Sequence, residues 1–199
     1  MRVPLQTRAV FELPAWVEQE LPDPIQALST VEERMQLAIH LSRLNVEHQT
    51  GGPFGAVVFT LQSHQIVAVG VNRTVPSNCS VAHAEILALI MAQQGLGSHL
   101  LSLDSLGQQG FELVSSTEPC AMCLGAIGWS GITQLVCGAR EEDAQVLGFD
   151  EGEKPKGWVL NFQSKGITVL QDICRLDAVK PLMAYRDRGG PIYNGFSTY

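Results

Sequence analysis

From Thr30 onward the apolar residues fall at helical spacing. Met35, Ala38, Ile39, Leu41 and Leu44 form one stripe, and Thr30 with Glu33 has the reciprocal capping-box spacing of a helix start. Gly51-Gly52-Pro53 stops that helix and turns the chain. GAVVFTL (55–61) and IVAVGVN (66–72) then read as two strands joined by a short polar turn, a hairpin. AHAEILALIMAQQ, from Ala82, is helical in character and ends at Gly95-Leu96-Gly97. A Ser/Gly/Leu-rich connection follows. FELVSS (111–116) predicts a strand, AMCLGAIGW a short helix, TQLVCGA (133–139) a strand and ITVL (167–170) a last strand. A closing helix is expected over 172–185, although Pro181 falls inside it. This order predicts a mixed sheet sandwiched by helices.

The segments between these elements are also informative. Residues 1–29 contain four prolines and no steady period, so they are expected to form an extended N-terminal arm, with one domain over 30–199. Residues 140–166 read as a long loop, too polar and Gly-rich for a core element, and long structureless loops are disproportionately functional. The tail GGPIYNGFSTY is irregular. No repeat or low-complexity tract interrupts the chain, and 199 residues with 45% hydrophobic content suffice for one buried core. The N-terminus lacks an unbroken apolar run, and the apolar stretch 86–92 is far too short to span a bilayer. The five cysteines show no disulfide spacing, so reduced thiols in the cytoplasm are the expectation.

Two of those cysteines point to chemistry. In Pro119-Cys120-Ala121-Met122-Cys123 a strand runs into a turn and the first cysteine opens a helix. Cysteines three apart on one turn present both sulfurs on one face, and a helix N-terminus favours thiolate over thiol. A buried pair or a redox dithiol has the same spacing. His83-Ala84-Glu85, at the start of the preceding helix, decides for zinc, because H-x-E followed by P-C-x-x-C is the zinc-deaminase signature. One imidazole and two thiolates neutralise Zn²⁺ and leave a fourth position for water, whose pKa falls from about 15.7 towards about 7. Glu85 is offset from His83 so that its carboxylate faces that water, as the base that moves the proton to substrate. Cys137 and Cys174 read as small apolar residues, and Cys79 is expected not to be a ligand.

These residues resemble the cytidine-deaminase superfamily. AHAEILAL and TEPCAMCLGAIGW are similar to its purine branch, and CLGAIGW with the later GFDEG (148–152) is similar to the bacterial guanine deaminases within it. The resemblance spans roughly residues 30–152. It implies a cytidine deaminase-like fold, a three-layer α/β/α sandwich around a five-stranded mixed sheet, with one zinc per chain held by His83, Cys120 and Cys123. It further implies a homodimer that deaminates a free purine base, guanine to xanthine, with other aminopurines and triazines as side substrates. By position, Asn72 matches an asparagine that hydrogen-bonds the purine, and Phe54 an aromatic lying on its ring. Glu151 matches a second acidic residue that serves the leaving amine, with Asp150 beside it and Phe149 packing against the base. Trp129 is expected to wall the pocket or to fill an interface. The tail is expected to cover the site, with Tyr193 or Tyr199 closing over the bound base.

Other readings share part of this pattern. A tRNA adenosine deaminase has the same zinc signature but needs a basic surface, whereas this chain has 13 Lys+Arg against 20 Asp+Glu and a net charge of −7. Cytosine or cytidine deamination is a further enzymatic alternative. A non-catalytic, zinc-stabilised scaffold would close its fourth metal position and would need no carboxylate at Glu85.

Overall fold

The computed structural model describes residues 5–21, 27–102 and 110–195. Its sheet has five strands, β1 Gly55–Thr60, β2 Ile66–Val71, β3 Phe111–Thr117, β4 Gln134–Ala139 and β5 Thr168–Leu170, in the order β2-β1-β3-β4-β5. β1 pairs antiparallel with β2 and β3, while β3–β4 and β4–β5 are parallel. The expected hairpin and the mixed sheet are both present.

Side-chain alternation along β1 shows how two cores form. Val57 and Phe59 point into one cluster, with Met35, Ala38 and Leu41 of α2 (Val31–Glu47) and Leu182 of α7 (Arg175–Asp187). Ala56 and Val58 point into the other, with Ala84, Ala88 and Leu89 of α3 (Ala84–Leu96) and Ile127 of α4 (Ala121–Ser130). The result is a three-layer α/β/α sandwich. Gly70 on β2 lets α3 lie close, since a Cβ there would overlap the Ala84 carbonyl oxygen. The capping box is formed, with Glu33 N–H donating to Thr30 Oγ1 at 3.2 Å and Thr30 N–H to Glu33 Oε2 at 2.9 Å.

Three expectations need correction. The arm is not wholly extended, because α1 (Trp16–Glu20) forms within it. Val17 is buried there, and the Trp16 indole stacks on His48 and donates to Thr50 Oγ1 at 3.0 Å. Residues 140–166 are not structureless, since they contain α5 (Glu141–Gln145) and α6 (Trp158–Ser164), with Phe162 buried in the second core. Helices of five and seven residues are too short to display a period. The closing helix is displaced to Arg175–Asp187 and accommodates Pro181, which is buried. Cys174 precedes that helix instead of lying on it, with φ 52°.

Arg34, on α2, is buried against Glu112 of β3 at 2.6 Å and donates to the carbonyls of Leu28 and Ser29 at 2.9 and 3.2 Å. Gln134 also donates to that carboxylate. This satisfied cluster joins the start of α2 to the start of β3. No described helix is long and apolar enough to cross a membrane.

Candidate active site

Two helix N-termini converge at the carboxyl side of the central strands. His83 is the N-cap residue of α3 and Cys120 that of α4, and neither side chain caps its own helix. Both turn instead towards a common point, joined by Cys123 from the first turn of α4. The Nδ1 of His83 lies 3.6 Å from each sulfur, too far for a strong hydrogen bond. A tetrahedral ion with Zn–S of about 2.3 Å and Zn–N of about 2.0–2.1 Å separates its ligand atoms by about that distance. The donor set therefore fits zinc, and it is the metal-type cluster found among the described residues. Cys79 borders the cavity but stands outside the triad.

Charge at the triad agrees with its chemistry. A hydrogen bond from Cys123, with help from His83, pushes the Cys120 thiol down to about 4. That same bond and burial push Cys123 well up, so the pair shares one proton that a divalent cation displaces. Burial opposes a charged His83, but Cys120, Glu85 and Glu151 together raise it.

Glu85 occupies the first turn of α3 and is buried, with Oε1 accepting from Ser115 Oγ of β3 at 3.3 Å. Burial raises its pKa, with the Cys120 thiolate adding to the effect. Glu151 is also buried, and burial pushes its carboxyl up to about 8. Its carbonyl accepts from Ala121 N–H at 2.9 Å, which pins the 148–152 segment to the start of α4. Both carboxylates line one cavity of about 670 Å³ with His83 and Cys120.

Phe54, Asn72, Phe149 and Asp150 line the same cavity. Phe149 meets Phe54 edge-on at 5.1 Å and Tyr193 at 5.2 Å. Asn72 is 1% exposed and braces a turn, with Oδ1 accepting from Gly52 and Thr74 N–H and Nδ2 donating to Thr74 Oγ1. Asp150 is exposed, and its Oδ1 accepts from Gly152 N–H at 2.9 Å. Trp129 does not wall this cavity. It is 86% exposed, beside α6 in a separate depression with Trp158, because its position on α4 faces away from the sheet. Tyr199 lies outside the described residues.

Tyr193 and Asn194 bring the tail over the site. Asn194 clamps the acidic segment at two backbone points, accepting from Asp150 N–H at 2.9 Å and donating to the Gly148 carbonyl at 2.8 Å. The Tyr193 hydroxyl is buried with no hydrogen-bond partner among the described residues, and burial pushes its pKa well up. Gly52 leaves room for it, since a Cβ there would overlap that hydroxyl. Gly52→Ala is therefore expected to push the tail off the cavity and raise KM about 10-fold with zinc content unchanged, as read by steady-state kinetics and metal analysis.

Sequence reasoning missed Glu118, Asn194 and Asn45. Glu118 is buried beside the zinc loop, and Asn45 Nδ2 donates to the carbonyls of Gly52 and Asn72 at 2.8 Å each. Glu118 stands two residues before a ligand in TEPC, a signal that was available; Asn45 looks like any polar residue of a helix.

The comparisons with known proteins agree with this geometry. Residues 28–139, more than half of the chain, match the cytidine and deoxycytidylate deaminase zinc-binding region. The guanine deaminase of Bacillus subtilis (strain 168) is 38% identical over 117 residues, 59% of this chain and 69% of that protein. A solved structure of guanine deaminase from Nitrosomonas europaea superposes with a TM-score of 0.85 at 41% identity, covering 93% of this chain and all of that one. A structure in complex with 2,6-diaminopurine superposes at 0.83 with 44% identity, over 92% and 95% of the two chains. With the zinc-binding region matched and its ligand set assembled at two helix starts, this chain belongs to the cytidine and deoxycytidylate deaminase family.

Proposed function

We propose that this protein is a zinc-dependent guanine deaminase, converting guanine and water to xanthine and ammonia. The observation that carries the reading is an aromatic-walled cavity lined by His83, Cys120 and two buried carboxylates, Glu85 and Glu151, with buried Cys123 completing the ligand triad. Guanine deaminases among its relatives support the choice of substrate, and a net charge of −7 suits a free base better than a polyanion.

Bound at the triad, zinc supplies the Lewis acidity that makes water a nucleophile near neutral pH. Phe54 and Phe149 receive the flat ring, and Asn72 presents its amide to the ring edge. As the water oxygen bonds to the amino-bearing ring carbon, Glu85 takes a proton from it and delivers that proton to the adjacent ring nitrogen. Glu151, whose carboxyl stays protonated to about pH 8, gives its proton to the exocyclic nitrogen. The C–N bond then breaks, ammonia leaves, and the proton of the new hydroxyl returns to Glu151 as the carbonyl forms. Tyr193 and the tail exclude bulk water. One zinc per chain, a homodimer and residence in the cytoplasm, where free thiols persist, complete the reading.

The test is ammonia release from a panel of guanine, adenine, cytosine, aminated triazines and an adenosine-containing tRNA. Guanine is expected to be turned over fastest. Guanine left intact while another member of the panel is deaminated would overturn the proposal.

A further inference from the structure

Beyond the cavity wall lies a buried cation that the chemistry above does not use. Lys154 stands three residues after Glu151, and its side chain is only 6% exposed. Its Nζ lies 3.1 Å from Glu141 Oε2 and 3.7 Å from Glu118 Oε2. A lysine of this length ordinarily extends its ammonium into water, so burial needs compensating carboxylates. Pro155 follows directly and disfavours helical backbone at Lys154.

Glu118 is the hub of this cluster. It precedes Pro119-Cys120 at the end of β3, accepts from Glu141 N–H at 3.3 Å at the end of β4, and accepts from Gln171 after β5. Its own N–H donates to the Ala139 carbonyl at 2.8 Å. One carboxylate thus gathers the loops that follow three adjacent parallel strands, and Lys154 ties the Glu151 segment to them.

The geometry points to Lys154 as a positioning residue that holds the Glu151 loop against the zinc-ligand loop through Glu118 and Glu141. The Asn194 clamp grips this loop before Glu151 and Lys154 grips it after, so the carboxylate is fixed from both sides. The inference rests on Glu151 serving the leaving amine, as proposed above.

A double-mutant cycle tests it on the zinc-loaded protein. Lys154→Met is expected to lower kcat about 10- to 100-fold with KM and zinc content little changed, the cost of a misplaced proton donor. Lys154→Arg, which keeps the ion pairs, is expected to restore most of the rate. In a Glu151→Gln background, Lys154→Met is expected to slow the reaction no further. Glu141→Gln, which removes the more exposed arm of the clamp, is expected to show a weaker version of the same kcat effect, should Lys154→Met fold poorly by thermal melting. The lysine inference fails if Lys154→Met is without effect, if it slows the Glu151→Gln protein by the same factor as the native one, or if it acts by losing zinc. A fully active Glu151→Gln protein overturns the role of Glu151 itself, and the lysine's role with it.

Discussion

Glu85→Gln is expected to keep its zinc and its fold while losing about 10²- to 10⁴-fold in turnover, the range by which a positioned general base accelerates a reaction. Glutamine has the same shape, and its amide oxygen can still accept from Ser115 Oγ, which donates to Glu85 at 3.3 Å. It cannot accept the proton of the attacking water. Glu85 is absent from the triad of ligand atoms, so metal content should be untouched. With zinc removed, stability should be equal or higher. Burial raises the Glu85 carboxyl, and a carboxylate raised on folding costs stability once the pH exceeds its unfolded value. A neutral amide removes that cost, the exchange expected where a site is kept for activity at the expense of stability. Ammonia-release kinetics, metal analysis and thermal melting together make the check. Native turnover by the variant would remove Glu85 from the mechanism.

The same residue shows why the site was legible in the sequence. His83, Glu85, Cys120 and Cys123 lie in two short segments, each at the start of a helix, so placement within each segment is fixed by local geometry that a motif records. The five strands were legible too, because a near-continuous apolar run such as GAVVFT of β1, buried at every position, is what burial on two faces requires. Residues that act through long-range contact left weaker marks. Arg34 sits within the stripe of α2 and is buried only because Glu112, distant in sequence, meets it. Asn194 and Lys154 matter through carbonyls and carboxylates brought near by the sheet order. Trp129 shows the same limit. Its place in CLGAIGW left open the pocket wall or an interface, and α4 holds it away from the cavity, 86% exposed beside α6.

Loss of the metal should have the other large effect. Cys123→Ala is expected to bind zinc poorly and to show no measurable turnover, with a lower melting temperature than Glu85→Gln. A site left with one sulfur and one imidazole has lost a charge-neutralising thiolate, and the two helix starts lose the ion that joins them. Prolonged chelation of the native protein should reproduce the activity loss and add a chemical signature. Cys120, half-buried and pushed down to about 4, should then react readily with a thiol reagent at neutral pH. Cys137, buried in β4 with its thiol pushed well up by burial, should stay unreactive until the protein unfolds. Zinc added back before labelling should restore ammonia release and protect Cys120. The order of events discriminates between roles. If chelation melts the fold in one step, Cys120 and Cys137 label together and the ion is chiefly structural. If Cys120 labels while Cys137 remains protected, the two helices hold their place without it, and what the ion contributes is the chemistry at the fourth position.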